Sequence, residues 1–141
     1  MKLPPYIKSK TAIGNFIPLI GNQTSQTIYP FIFLSKHVYD NLQSNNPNPH
    51  FIAHLAHEET HRQRQKQAGI LIYLARYIIS PKFRFSEELE SHKESMKIFK
   101  KYHLHYDLDK HAKFLSSYVY LWAISQEYAR KELKKAWDNL A

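Results

Sequence analysis

The chain has 141 residues, 43% apolar and 23% charged, which is enough material for one globular core and too little for a second domain. It contains no cysteine, which excludes a disulfide scaffold, a Cys-ligated zinc finger, an iron–sulfur cluster and thiol catalysis; any metal must be held by His, Asp or Glu. Twenty Lys and Arg against twelve Asp and Glu give a formal charge of +8, which attracts polyanions loosely and is weak support for a nucleic-acid partner.

The first ten residues, MKLPPYIKSK, place two prolines where the apolar core of a signal peptide would run, so none is expected and the cytoplasm is the default location. Pro4, Pro5, Gly14, Pro18 and Gly21 predict irregular structure over residues 1–25, with one short strand near 13–20; this segment could also serve a regulatory role by covering a cleft. Residues 27–35, rich in Ile, Phe and Tyr, read as a strand, and Pro30 argues for a sheet edge. Residues 37–43 read as a short helix and 44–49 as a turn. Asn48 is a good N-cap and Pro49 fits a first helical position, so a long helix is predicted over 49–68 and closed by Gly69.

Residues 70–79 are apolar almost all round and predict a buried helix closed by Ser80-Pro81. Ten residues with Arg76 among them are too short to span a bilayer. Ser86 is taken as the cap of a third helix carrying Glu87, Glu88, Glu90 and Glu94, followed by a loop over 102–109. A last helix is expected from His111 to Leu140, with Phe114, Leu115, Tyr118, Leu121, Trp122 and Ile124 as its apolar stripe. The expected fold class is α+β, mainly α, in a single domain spanning 1–141.

The helix over 49–68 contains His57-Glu58-Glu59-Thr60-His61, an HExxH. Residues four apart share a helix face, so two imidazoles one turn apart can reach a single metal ion. Glu58 lies about 100° round from His57, placed to address a metal-bound water without ligating the metal. Zinc held by two His and a carboxylate keeps an open position for water or substrate, and the Glu accepts the water's proton. By composition alone, with nine His in the chain, the motif is expected on the order of 0.03 times in such a chain. Phe51, Ile52 and Leu55 form an apolar face separate from the His face, as a helix lining a cleft requires. A third ligand is expected from the row Glu87, Glu90, Glu94, which shares one helix face, with Glu88 falling off it. Acids in the first turn after a Ser cap also suit the helix dipole with no metal at all.

The HExxH followed by a separate Glu-bearing helix resembles the gluzincin zinc metallopeptidases, in particular the minimal single-domain ones, over roughly residues 27–100. The resemblance implies a minimal zincin-like domain with one Zn2+ per chain bound by His57, His61 and Glu90, and Glu58 as catalytic base. Glu90-Ser91-His92-Lys93-Glu94 matches the family pattern of a ligand Glu, a small residue and an acid four positions on. By that match Glu94 would accept an N–H from a ligand His and fix its tautomer. The chain departs from the family in having Arg64 where small relatives carry Gln, Ser91 for the usual Ala, and Glu94 for the usual Asp. In zincins an edge strand pairs with extended substrate; residues 29–35 are the candidate here, with Tyr29, Phe31 and Phe33 as substrate-binding residues. The same residues also read as a plain core strand.

His50 and His54 continue the His face, and His103, His105, Asp107 and Asp109 form a polar loop; both read more simply as wall and loop residues than as second metal sites. Tyr118 or Tyr120 could supply a transition-state hydrogen bond. Arg62, Arg64 and Lys66 read as a solvated helix end. The expected function is a monomeric zinc-dependent metallopeptidase acting on a peptide or protein substrate, with no membrane span and no specific nucleic-acid partner. Two alternatives stand beside it: a zincin-like, weakly active or inactive protein-binding module, and a basic helical nucleic-acid-binding protein with an accidental HExxH.

Overall fold

The computed structural model describes residues 1–10, 25–117 and 124–140. The strand expected near 13–20 and the side chains of Tyr118, Tyr120, Leu121 and Trp122 lie outside them. Among the described residues three short strands form one sheet: β1 (Ile7–Ser9), β2 (Gln26–Ile28) and β3 (Phe31–Leu34), in the order β1-β3-β2. β1 runs parallel to β3 and β2 antiparallel to it, with Thr27 opposite Ile32 and Ile7 opposite the same residue on the other side. The single edge strand expected over 27–35 is therefore a hairpin whose second strand is central. Pro30 sits in the turn, after a cis Tyr29–Pro30 bond, where its missing N–H costs no ladder hydrogen bond.

Helix α1 (Lys36–Gln43) places Val38 and Leu42 against Ile7, Ile32 and Leu34, and Phe51, Ile52 and Leu55 of the next helix pack on the same small core. α2 (Pro49–Ala68) has the predicted bounds: the Asn48 side chain accepts from the His50 N–H at 2.9 Å and Pro49 is the first helical residue. Gly69, at φ 83°, ends α2 and starts α3 (Ile70–Ile79).

α4 runs over Pro81–Lys101 and starts six residues earlier than expected. Its cap is Ser80, whose side chain accepts from the Phe83 N–H at 3.1 Å; Ser86 instead donates back to the Phe83 carbonyl, as a mid-helix Ser does. α4 lies alongside α2, and Ser95 Oγ ties them by donating to the Ala53 carbonyl at 2.8 Å.

The long terminal helix expected over 111–140 is two helices among the described residues, α5 (Leu108–Leu115) and α6 (Gln126–Asn139), capped by Asp107 and Ser125. Leu115, Ala129, Leu133 and Ala136 close the larger core against Ala53, Phe85, Met96 and Phe99, so this end braces α4 from behind. Phe114, expected in the stripe, is exposed. α3 is a helix as predicted but is not buried. Only Tyr73 is, while Leu71, Ile72, Ile78 and Ile79 are 62–81% exposed, because α3 lies across α2 and α4 on one face alone. No helix among the described residues is long and apolar enough to cross a membrane.

Candidate metal centre

The packing of α2 on α4 decides which side chains meet. α2 contributes His57 and His61, one turn apart. α4 turns the stripe Arg84, Glu88, Ser91, His92, Ser95 and Phe99 inward, a row at three- and four-residue spacing. The carboxylate at the His pair is consequently Glu88. Its oxygens lie 3.3 Å from His57 Nε2 and 3.4 Å from His61 Nε2, and the two imidazole nitrogens are 3.2 Å apart. Metal–ligand bonds of about 2.0–2.1 Å at tetrahedral angles put ligand atoms about 3.3–3.4 Å from one another. The imidazole pair, and each imidazole with its own Glu88 oxygen (Oε2 for His57, Oε1 for His61), stand at that spacing. Two imidazole nitrogens and a carboxylate this close repel unless protons or a cation lie among them, and two neutral imidazoles with a carboxylate are a donor set that suits zinc.

Glu90 and Glu94 are not at this site. Each is about two-fifths exposed and pairs along its own helix, Glu90 with Lys93 and Glu94 with Lys97, both at 2.6 Å. The Glu87–Glu90–Glu94 row looks away from α2 except at its start, where Glu87 is buried and accepts from Arg64 Nε and Nη2 at 2.5 and 2.8 Å.

Neighbouring groups hold the donors in place. Tyr77 of α3 donates to Glu88 at 2.5 Å, and the Tyr73 hydroxyl lies 3.3 Å from His61 Nδ1. With Nε2 turned to a metal, Nδ1–H would donate to that oxygen and fix the tautomer, the role expected of Glu94. Burial works against charge on Glu88, but His61 and His57 outweigh it and hold the carboxyl well below its ordinary value. His61 is likewise opposed by burial, and the Glu88 charge raises it on balance. Tyr73 is pushed up by burial and by Glu87 and Glu88, so its hydroxyl keeps its proton.

Glu58 is buried on the same helix, and Thr27 of β2 donates to its carboxylate at 2.6 Å. It is near enough to add to the raising of His61. The hairpin is fixed over it by Gln65, whose side chain donates to the Thr27 carbonyl at 3.0 Å and accepts from the Tyr29 N–H at 2.7 Å.

His92 is the residue the sequence reading passed over. It is buried, its ring meets that of His57 edge-on at 4.8 Å, and Tyr106 bonds its Nδ1 at 2.8 Å. His57, Glu88 and His92 offer donor atoms all within 4.8 Å of one another. Burial, then His57 and His111, push its pKa well down, so it is neutral. The signal was in the sequence: Glu88 and His92 are four apart, as His57 and His61 are.

The other candidates have ordinary surroundings. His50 stacks edge-on against Phe99, and His54 lies 4.0 Å from Glu58. Asp107 caps α5 and Asp109 pairs with Arg130. Arg62 is bound to Glu59. β3 has a strand on each side, which leaves Phe31 and Phe33 on no free edge; Phe33 is buried and Phe31 exposed. Comparison with family models, with curated proteins and with solved structures returned no match.

Proposed function

We propose that the chain is a zinc-dependent metallopeptidase in which His57, His61 and Glu88 hold the metal and Glu58 is the general base. The observation that carries this reading is the meeting of two imidazoles and a carboxylate, built partly on an HExxH helix: His57 Nε2 and His61 Nε2 are 3.2 Å apart, and they lie 3.3 and 3.4 Å from Oε2 and Oε1 of Glu88 respectively. A zinc ion held there would supply Lewis acidity to a peptide carbonyl and lower the pKa of a water in its open position. Glu58 takes the proton from the attacking water and hands it to the leaving amide nitrogen. Thr27 donates to one Glu58 oxygen and so orients the other. Tyr73 and Tyr77 keep the His61 ring and the Glu88 carboxylate from turning away.

One observation favours a second reading, a zincin-like module that binds rather than cleaves. His92 shares with His57 and Glu88 a group of donor atoms within 4.8 Å of one another, so a metal that took His92 as well as the proposed three would have four protein ligands, as structural metals do. A single experiment separates the two: metal content and hydrolysis of a fluorogenic peptide library, measured on wild type and Glu58→Gln. The peptidase reading expects about one zinc per chain in both, with hydrolysis falling by about 10²-fold or more in the variant. Zinc without hydrolysis in wild type favours the module. No zinc in wild type, even when it is supplied, overturns both.

A further inference from the structure

α3 has two unlike faces. Its inner face carries Tyr73 and Tyr77, whose hydroxyls meet His61 and Glu88. Its outer face is bare: Leu71, Ile72, Ile78 and Ile79 are 81, 62, 68 and 78% exposed. At about 100° per residue, positions 78, 71, 75, 79 and 72 fall in sequence around one side of the helix, within an arc of about 120°. That is a continuous aliphatic strip with Ala75 at its middle and Arg76 at its border. Patches of this kind on a small protein mark an interaction site.

The charge around the strip says what kind. From Thr60 to Ser86 there is no Asp or Glu, while Arg62, Arg64, Lys66, Arg76, Lys82 and Arg84 all fall in that span. Arg62 and Arg64 are neutralised by Glu59 and Glu87, and Arg84 is buried against backbone carbonyls. Lys66, Arg76 and Lys82 are exposed and have no carboxylate partner among the described residues. They stand before, on and after the strip.

We infer that the outer face of α3 seats the protein on an anionic lipid surface. The aliphatic strip enters the boundary between headgroups and acyl chains, and Lys66, Arg76 and Lys82 meet the headgroup charges. Membrane surfaces are held by this pairing of an apolar face with adjacent cations. A protein partner would be expected to meet aromatic residues and little charge at the patch centre, and here both tyrosines point inward. Ten residues make a helix of about 15 Å, which lies in the interface and does not span it. This inference does not depend on the peptidase reading.

The test is flotation of the full chain with vesicles of phosphatidylcholine alone and of phosphatidylcholine mixed equally with phosphatidylglycerol. Wild type should float with the anionic vesicles at least about tenfold more than with the neutral ones, because each basic residue near the surface adds about fivefold. Leu71→Ser/Ile79→Ser, at two solvent-exposed positions, should cut that binding by about tenfold, and Lys66→Gln/Lys82→Gln by about twenty-five-fold, while circular dichroism stays unchanged. No flotation of wild type, equal flotation on both vesicles, or variants that float as well as wild type would overturn the inference. So would a dimer in sedimentation that Leu71→Ser/Ile79→Ser dissolves without any flotation, which would assign the strip to a second copy of the chain.

Discussion

Replacing Glu88 by Ala, and in parallel Glu90 by Ala, is the sharpest test of where the metal sits. Structural zinc sites bind with apparent free energies of about 10–16 kcal/mol across four ligands, or about 2.5–4 kcal/mol per ligand. Loss of the Glu88 carboxylate, whose oxygens stand 3.3 and 3.4 Å from the two imidazole nitrogens, should then weaken zinc by about 10²- to 10³-fold. Glu90 sits two residues along the same helix and has a side chain 40% exposed and paired only with Lys93, so its removal should change affinity by less than about twofold. Competition against a chromophoric chelator reads both, with circular dichroism to confirm that each variant is folded. The Glu88→Gln variant keeps the volume and one acceptor oxygen, and it should also lose most of the affinity. Equal loss in Glu88→Ala and Glu90→Ala, or retention of zinc by Glu88→Ala, would refute the assignment.

Three further outcomes are expected. Gly69→Ala places a Cβ in open space but at φ 83°, so it should cost about 1–2 kcal/mol from backbone strain alone, read as a lower urea midpoint at unchanged slope. Leu133, fully buried among Phe85, Met96 and Phe99, should cost about 2–5 kcal/mol as Ala, whereas Ile79→Ser at the surface should stay within about 0.5 kcal/mol. Finally, metal-free protein should weaken in mild acid. His111 is driven down from 6.5 to about 4, mainly by burial and then by Lys110 and His57, so the unfolded chain takes up its proton first. Its contribution is complete above pH 6.5 and is lost as pH falls toward 4, worth on the order of 2 kcal/mol after allowing for partial exposure. His111→Gln should flatten urea midpoints across that window.

The α2 helix was legible to the residue because its punctuation is local: Asn48, Pro49 and Gly69 act on their own backbone. The place of Glu88 is harder to read for a related reason. Two serines can start the next helix, and a cap at Ser86 would put Glu88 in the first turn, where the dipole explains an acid. From Ser80, Glu88 lies in the second turn and needs another partner. The side of α4 that turns inward is polar, with Glu88, Ser91, His92 and Ser95 upon it, so hydrophobic periodicity points the wrong way there. The sequence of α3 shows apolarity but not its lack of a covering layer, because burial depends on what packs against a helix. Thr27 and Gln65, which fix the hairpin over Glu58, are separated by 38 residues and carry no local signature.

The Gln65 side chain has a consequence beyond anchoring. The carbonyl of Thr27 and the N–H of Tyr29 are the alternate pair that a neighbouring strand would use, and one carboxamide, presenting a donor and an acceptor together, already fills both. Among the described residues β2 is an edge strand, and its outer side would otherwise be open to any extended chain. Here the margin is closed at the point nearest the candidate centre. An extended peptide approaching Glu58 must either displace that amide or lie elsewhere, and strand-to-strand self-association through β2 meets the same obstacle.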